Sequence, residues 1–117
     1  MATDSDCIFC RIITGQSPAK LVYQDRDVTA FWTNNPTAPI HILIVPNKHI
    51  GSVNHINDDD ACLLGKLIVV SKQIAKQQNL DKSGYRLVIN TGPDAGQSVY
   101  HLHLHLIGGQ RMGFGPR

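Results

Sequence analysis

Apolar and polar residues along this chain fall into short runs separated by turn-forming clusters, and five runs have the length and spacing of β-strands. They cover Leu21 to Gln24, Val28 to Trp32, His41 to Val45, Tyr85 to Asn90 and His101 to Ile107. The last is the most regular: "HLHLHLI" alternates histidine with leucine without a break. Strand side chains point to opposite faces with period two, so one face would be imidazole and the other aliphatic. On a helix the same residues would form no coherent surface. Leu102, Leu104, Leu106 and Ile107 are therefore expected in a core, with the three rings standing in a row on the other side.

One long helix is predicted between the third and fourth strands. Asn57 or Asp58 begins it, and Asp59 and Asp60 oppose the positive end of its dipole. Leu63, Leu64, Leu67, Val70 and Ile74 form its core stripe, but Ile68 and Val69 extend the apolar surface past one face. That excess predicts a second buried contact, most simply across a symmetric dimer. A short helical turn around "CIFCRIITG" ends at Gly15. Hairpin-like connections with one long helix indicate an α+β fold on an antiparallel sheet.

Composition narrows the setting. The 117 residues suit one domain spanning 1–117, with 42% hydrophobic and 17% charged residues. A net charge of +2 is spread along the chain, with no basic stripe for nucleic acid. The start is acidic and polar, unlike a signal peptide, and runs such as "LIVV" are too short for a bilayer. Three cysteines, an odd number, argue against a disulfide framework. A cytoplasmic protein without membrane or nucleic-acid partners is expected.

Half of the six histidines lie in the triplet at 101–105. Three uses are open: a solvated strand face, a metal chelate, or catalysis on a phosphate. The preceding segment "NTGPDAGQSVYH" favours the third. Gly92 and Gly96 let backbone N–H groups approach an anion, Pro93 and Asp94 favour a turn, and Gln97 and Ser98 add polar groups. Neither a Walker sequence nor G-x-G-x-x-G occurs, which excludes those nucleotide-binding loops.

With these residues in view, the chain resembles the histidine triad superfamily, in its Hint branch. The resemblance runs from "CIFCRII" through "AFW", "APIHILIVPNKHI" and "LVINTG" to "GQSVYHLHLHLIGGQ". It implies a five-stranded antiparallel sheet with one long and one short N-terminal helix, dimerising into a continuous ten-stranded sheet. It also implies hydrolysis of purine nucleoside 5′-phosphoramidates, AMP or GMP conjugates, with no cofactor needed for the chemistry. Cleavage of dinucleoside polyphosphates, or nucleotide binding without catalysis, are the alternatives.

Carried over by position, His103 is the nucleophile, His105 contacts the phosphate and protonates the leaving amine, and His101 orients the nucleophile. His41 matches a fourth active-site histidine. Asn90, Gly96, Gln97 and Ser98 match the phosphate cradle, while Phe9, Phe31 and Leu43 match the wall of a base pocket. Thr33, followed by Asn34, stands where the family has an aspartate for the ribose hydroxyls, which weakens that contact. The ending "MGFGPR" departs from the family's tryptophan-containing tail, with Phe114 its nearest substitute.

The pair Cys7-x-x-Cys10 opens the chain before any strand, which disfavours a thioredoxin-type redox site. Some bacterial relatives hold a structural zinc with this pair and two histidines, and His49 and His101 fall at the matching positions. Reduced cysteines without metal are the alternative. Cys62 is expected to pack within the helix and His55 to be solvated.

Overall fold

The computed structural model describes residues 4–113; Phe114 and the residues beyond it lie outside that range. A short helix, α1, spans Ile8–Ile13 and is followed by β1 Leu21–Gln24, β2 Val28–Trp32 and β3 Ile40–Pro46. Two single-turn 3-10 segments lead into the long helix α2, Ala61–Gln77, and then come β4 Tyr85–Val88 and β5 Leu104–Gly108. All neighbouring strands are antiparallel, in the order β1-β2-β3-β5-β4. Among the described residues, no helix is long and apolar enough to cross a membrane.

The two faces of the sheet have different tasks. On one, Val28, Ala30, Ile42, Ile44, Leu104 and Leu106 pack with Leu67, Val70 and Ile74 of α2, forming the main core. On the other, Phe31, Leu43 and Val45 pack with Cys7, Phe9 and Cys10 from α1 and its cap. The period of two delivers both surfaces from the same strands. Ile68 and Val69 remain 48% and 51% exposed on α2, as the widened apolar stripe anticipated.

The long helix starts differently from the sequence expectation. Asn57 precedes a 3-10 turn, Asp58–Asp60, and Asp60 occupies the position before α2 without a side-chain capping bond to it. The Asp60 carboxylate accepts the Asn57 N–H at 2.9 Å and binds the Lys48 ammonium at 2.6 Å. Cys62, expected to be packed, is exposed, because it lies on the side of α2 away from the buried stripe of Leu67, Val70, Ser71 and Ile74. His55 is exposed as expected, its Nδ1 2.8 Å from the Ser52 hydroxyl.

Two strand boundaries also move. β4 stops at Val88 rather than Asn90, and β5 begins at Leu104 rather than His101. The pairing of β5 with β3 ends at Ile44–Leu104. Upstream of that point the Leu102 N–H turns to the Ile50 carbonyl, at 2.6 Å. Leu102 still reaches the main core, whereas Ile107 is half-buried on the opposite face, aligned with His105 rather than with the leucines.

Candidate active site and metal cluster

The cleft lies between α1 and the face of the sheet opposite α2, with a volume of about 390 Å³. Its apolar side includes Phe9, Phe31 and Leu43; its polar side includes Thr33, Asn34, His41, Ser98, His103 and His105. Phe9 meets Phe31 edge-to-face at 5.4 Å between centroids and meets the His103 ring at 5.1 Å. Sequence reading did not single out the lining residues Trp32, Asn35, Thr37 and Val99, since they carry no motif and reach the cleft only through the fold. Among the described lining residues, none is Asp, Glu, Lys or Arg.

The histidine row divides between two environments. His103 and His105 line the cleft with ring centroids 4.9 Å apart, closer than the roughly 6.5–7 Å of an ideal two-residue strand step. His101 is fully buried and turns instead toward the cysteines.

Hydrogen bonds determine which ring nitrogen carries the proton. His103 Nδ1 lies 2.8 Å from the His101 carbonyl, which can only accept. The proton therefore sits on Nδ1, leaving the Nε2 lone pair free. His41 Nδ1 receives the Thr37 N–H at 3.1 Å, so its proton is on Nε2. That nitrogen donates to His105 Nδ1 at 2.9 Å. The His105 proton is consequently on Nε2, a buried donor with no hydrogen-bond partner among the described residues. Antiparallel pairing of Leu43 with His105 and His41 with Ile107 sets these two histidines diagonally on one sheet face.

Burial lowers the pKa of all three rings. His41 and His103 shift down, and His105 falls to about 4 through burial first and then the adjacent His103 and His41. Each is neutral at pH 7, as the hydrogen-bond pattern requires.

The phosphate-loop candidates separate in the structure. Ser98 is exposed on the cleft wall. Gln97 is buried, and its side chain is committed to backbone: Oε1 accepts the Gly92 N–H at 3.0 Å, and Nε2 donates to the carbonyls of Gly51 at 2.9 Å and Val99 at 3.1 Å. Gly92 and Gly96 adopt φ of 83° and 82° around the 3-10 turn Pro93–Ala95, a region that favours glycine. Asn90 and Gly96 do not line the cleft.

Behind the cleft, Cys7, Cys10, His49 and His101 converge, with their ligand atoms within 4.8 Å of one another. His101 Nδ1 is 3.3 Å from Cys7 Sγ and 3.5 Å from Cys10 Sγ, while His49 Nδ1 is 3.4 Å from Cys10 Sγ. Tetrahedral zinc, with bonds of about 2.3 Å to sulfur and about 2.05 Å to nitrogen, separates S and N ligands by about 3.5 Å. The observed spacing fits. His101 Nε2 meets the Pro46 carbonyl at 2.7 Å, so its proton is there and the Nδ1 lone pair faces the sulfurs. Burial also pushes the Cys10 thiol up to about 11, and a cation among the sulfurs would reverse that tendency.

Comparison with known proteins fits this architecture. A family model described as HIT domain matches residues 14–112. A purine nucleoside phosphoramidase from Escherichia coli K12 is 45% identical over 108 residues, 92% of this chain and 91% of that protein. A histidine triad protein from Clostridium difficile superimposes with a TM-score of 0.95 at 41% identity, covering 98% of this chain and all of the other, 100%. A HIT family hydrolase from Legionella pneumophila gives 0.92 at 45% identity, over 95% and 99% of the two chains.

Proposed function

The chain belongs to the HIT domain family and is similar along its length to hydrolases of that family; from that premise we propose that it cleaves the P–N bond of purine nucleoside 5′-phosphoramidates through a nucleotidyl-histidine. Residues 1–117 act as a single HIT domain. The observation that carries the reading is the paired state of two rings. His103 offers a bare Nε2 lone pair, and beside it His105 offers an Nε2–H that nothing among the described residues accepts.

In the first step His103 Nε2 attacks phosphorus, the P–N bond breaks, and its electron pair departs with the amine. The amine takes up one proton, delivered by His105 Nε2. A route from solvent replaces it: Thr37, exposed, has its hydroxyl 3.4 Å from His41 Nδ1, and His41 Nε2 is bonded to His105 Nδ1. Water then attacks phosphorus, the phosphorus–His103 bond breaks, and the proton returns to solvent with release of the nucleoside monophosphate. Splitting the displacement in two is ordinary nucleophilic catalysis. Phe9, Phe31 and Leu43 hold the base and Ser98 positions the phosphate, while Asn90 and Gly96, set back from the cleft, shape the loop that carries Ser98. Gln97 acts on that loop from within.

The uncharged cleft favours a phosphoramidate over a dinucleoside polyphosphate. A polyphosphate chain carries several negative charges, and no Lys or Arg among the described lining residues would balance them. Zinc held by Cys7, Cys10, His49 and His101 would stiffen the base of the site and supply no step of the reaction. All three cysteines are unpaired thiols, which suits a reducing cytoplasm. The exposed Ile68 and Val69 support a homodimer in which the sheets join.

Adenosine 5′-phosphoramidate is the test substrate. Turnover is expected from the wild type and is reduced at least ~10³-fold by His103→Ala with the fold intact. Full turnover in that variant overturns the assignment; diadenosine polyphosphate, assayed alongside, is expected to be the poorer substrate.

A further inference from the structure

We propose that the sugar end of the cleft does not read the ribose 2′-hydroxyl, so that 2′-deoxyribonucleoside 5′-phosphoramidates are substrates on a par with their ribo counterparts. This rests on the phosphoramidase reading and adds to it a substrate class. A 5′-nucleotide with phosphorus against His103 and its base along Phe9 and Phe31 must set its sugar against the remaining polar lining of the cleft, which, apart from the histidines and Ser98, is the segment after β2. That segment contributes Thr33, Asn34, Asn35 and Thr37 to the cleft.

A vicinal diol presents two O–H donors on one side, and a carboxylate accepts both in charge-assisted bonds. No carboxylate is present among the described lining residues. Thr33 Oγ1 already accepts the Asn35 N–H at 3.2 Å, which occupies part of its capacity. Asn34, Asn35 and Thr37 are exposed, so their polar groups are hydrated when no ligand is bound. Exchanging water for a sugar hydroxyl at such groups is close to neutral.

The burial of the polar groups decides the size of the effect. A site discriminates strongly against a missing hydroxyl only when its own buried donors and acceptors would be left unpaired. Here water satisfies the same groups when the 2′-hydroxyl is absent. The loss of discrimination therefore belongs to Thr33 and its neighbours, while the phosphate end keeps its selectivity through the buried His105 donor.

The experiment compares kcat/KM for adenosine and 2′-deoxyadenosine 5′-phosphoramidate in the wild type and in Thr33→Asp, with calorimetric Kd values for AMP and dAMP alongside. The expected wild-type ratio is within about threefold, rising by at least about tenfold in Thr33→Asp. A wild-type preference for the ribo substrate of about tenfold or more overturns the proposal. A ratio unchanged by Thr33→Asp overturns the assignment of the sugar to this segment. If neither phosphoramidate is cleaved, the phosphoramidase reading falls. The AMP and dAMP affinities then decide this proposal separately, near equality supporting it and a preference of about tenfold for AMP overturning it.

Discussion

Replacing Gln97 by Glu changes one atom of a buried side chain and reverses what two carbonyls meet. In the native loop the Gln97 amide nitrogen donates to Gly51 O at 2.9 Å and Val99 O at 3.1 Å. The variant keeps the acceptor for the Gly92 N–H but turns a carboxylate oxygen toward both carbonyls. Two hydrogen bonds at about 1 kcal/mol each are lost, and burying an unpaired carboxylate adds a comparable amount, giving about 3–5 kcal/mol at pH 8. The position leaves little room for water to compensate, since Gln97 is only 6% exposed.

The carboxyl responds by protonating. Its pKa in the folded variant rises above the ordinary value of about 4.3, because protonation removes the charge and restores one donor. A raised pKa means that the folded state binds the proton more tightly, so the variant's stability is retained at low pH and lost as pH rises through the raised value. Gln97→Ala loses those two bonds and also the acceptor for the Gly92 N–H, without a charge, costing about 2–4 kcal/mol with no such pH dependence. Urea unfolding of both variants and the wild type at pH 5 and pH 8 separates the cases. Equal stability of Gln97→Glu and the wild type at pH 8, or parallel pH behaviour of the two variants, refutes the reasoning.

Burial depresses the His105 pKa from 6.5 to about 4. The unfolded chain then binds more protons at this position between those values, so the His105 contribution to stability falls as pH drops from 6.5 through 4, and His105→Gln should make the fall of melting temperature over that range shallower. Chelation, or Cys10→Ser, is expected to lower the melting temperature while chains still folded at 25 °C keep turning over; immediate loss of turnover at unchanged stability would instead make the metal an agent of the chemistry. Val69→Asp puts a charge on the exposed apolar stripe of α2. Light scattering is expected to report dimers for the wild type and monomers for that variant, and an unaltered mass excludes this face from the interface.

Much of the fold was legible because short apolar runs bounded by turn-forming residues suffice to locate strands. β1 and β2 fall where alternation predicts, and β3 extends that prediction by one residue at each end. The boundaries of β4 and β5 were not legible, because periodicity identifies faces but not neighbours. His101 and Leu102 alternate as strand residues do, yet the Leu102 N–H goes to Ile50 and the His101 ring to Pro46. The same limit hid the division of the histidine row. Equal spacing suggests equal surroundings, whereas the end of the β3–β5 pairing lets the chain turn His101 to the cysteines. Gln97 illustrates a third limit: polar composition marks a loop, but only contacts tell whether an amide faces a ligand or braces its own backbone.

The juxtaposition of the metal cluster and the cleft follows from the weakness of α1. A helix of six residues cannot hold itself together, since nucleation consumes most of what its few hydrogen bonds return. Cys7 caps it, with Sγ accepting the Cys10 N–H at 3.3 Å, and both cysteines reach His49 and His101 on other segments. Phe9 lies between those two anchors, and its ring meets His101 at 5.9 Å, His103 at 5.1 Å and Phe31 at 5.4 Å. The wall of the cleft and the orientation of His103 thus depend on one short helix fixed at two points. His101 joins both tasks: its ring faces the sulfurs while its carbonyl holds the His103 proton on Nδ1. Displacing that carbonyl would free His103 to exchange tautomers and remove the lone pair from Nε2. A metal held by Cys7, Cys10, His49 and His101 would resist that displacement from behind the cleft, and would so matter to the chemistry while taking no part in it.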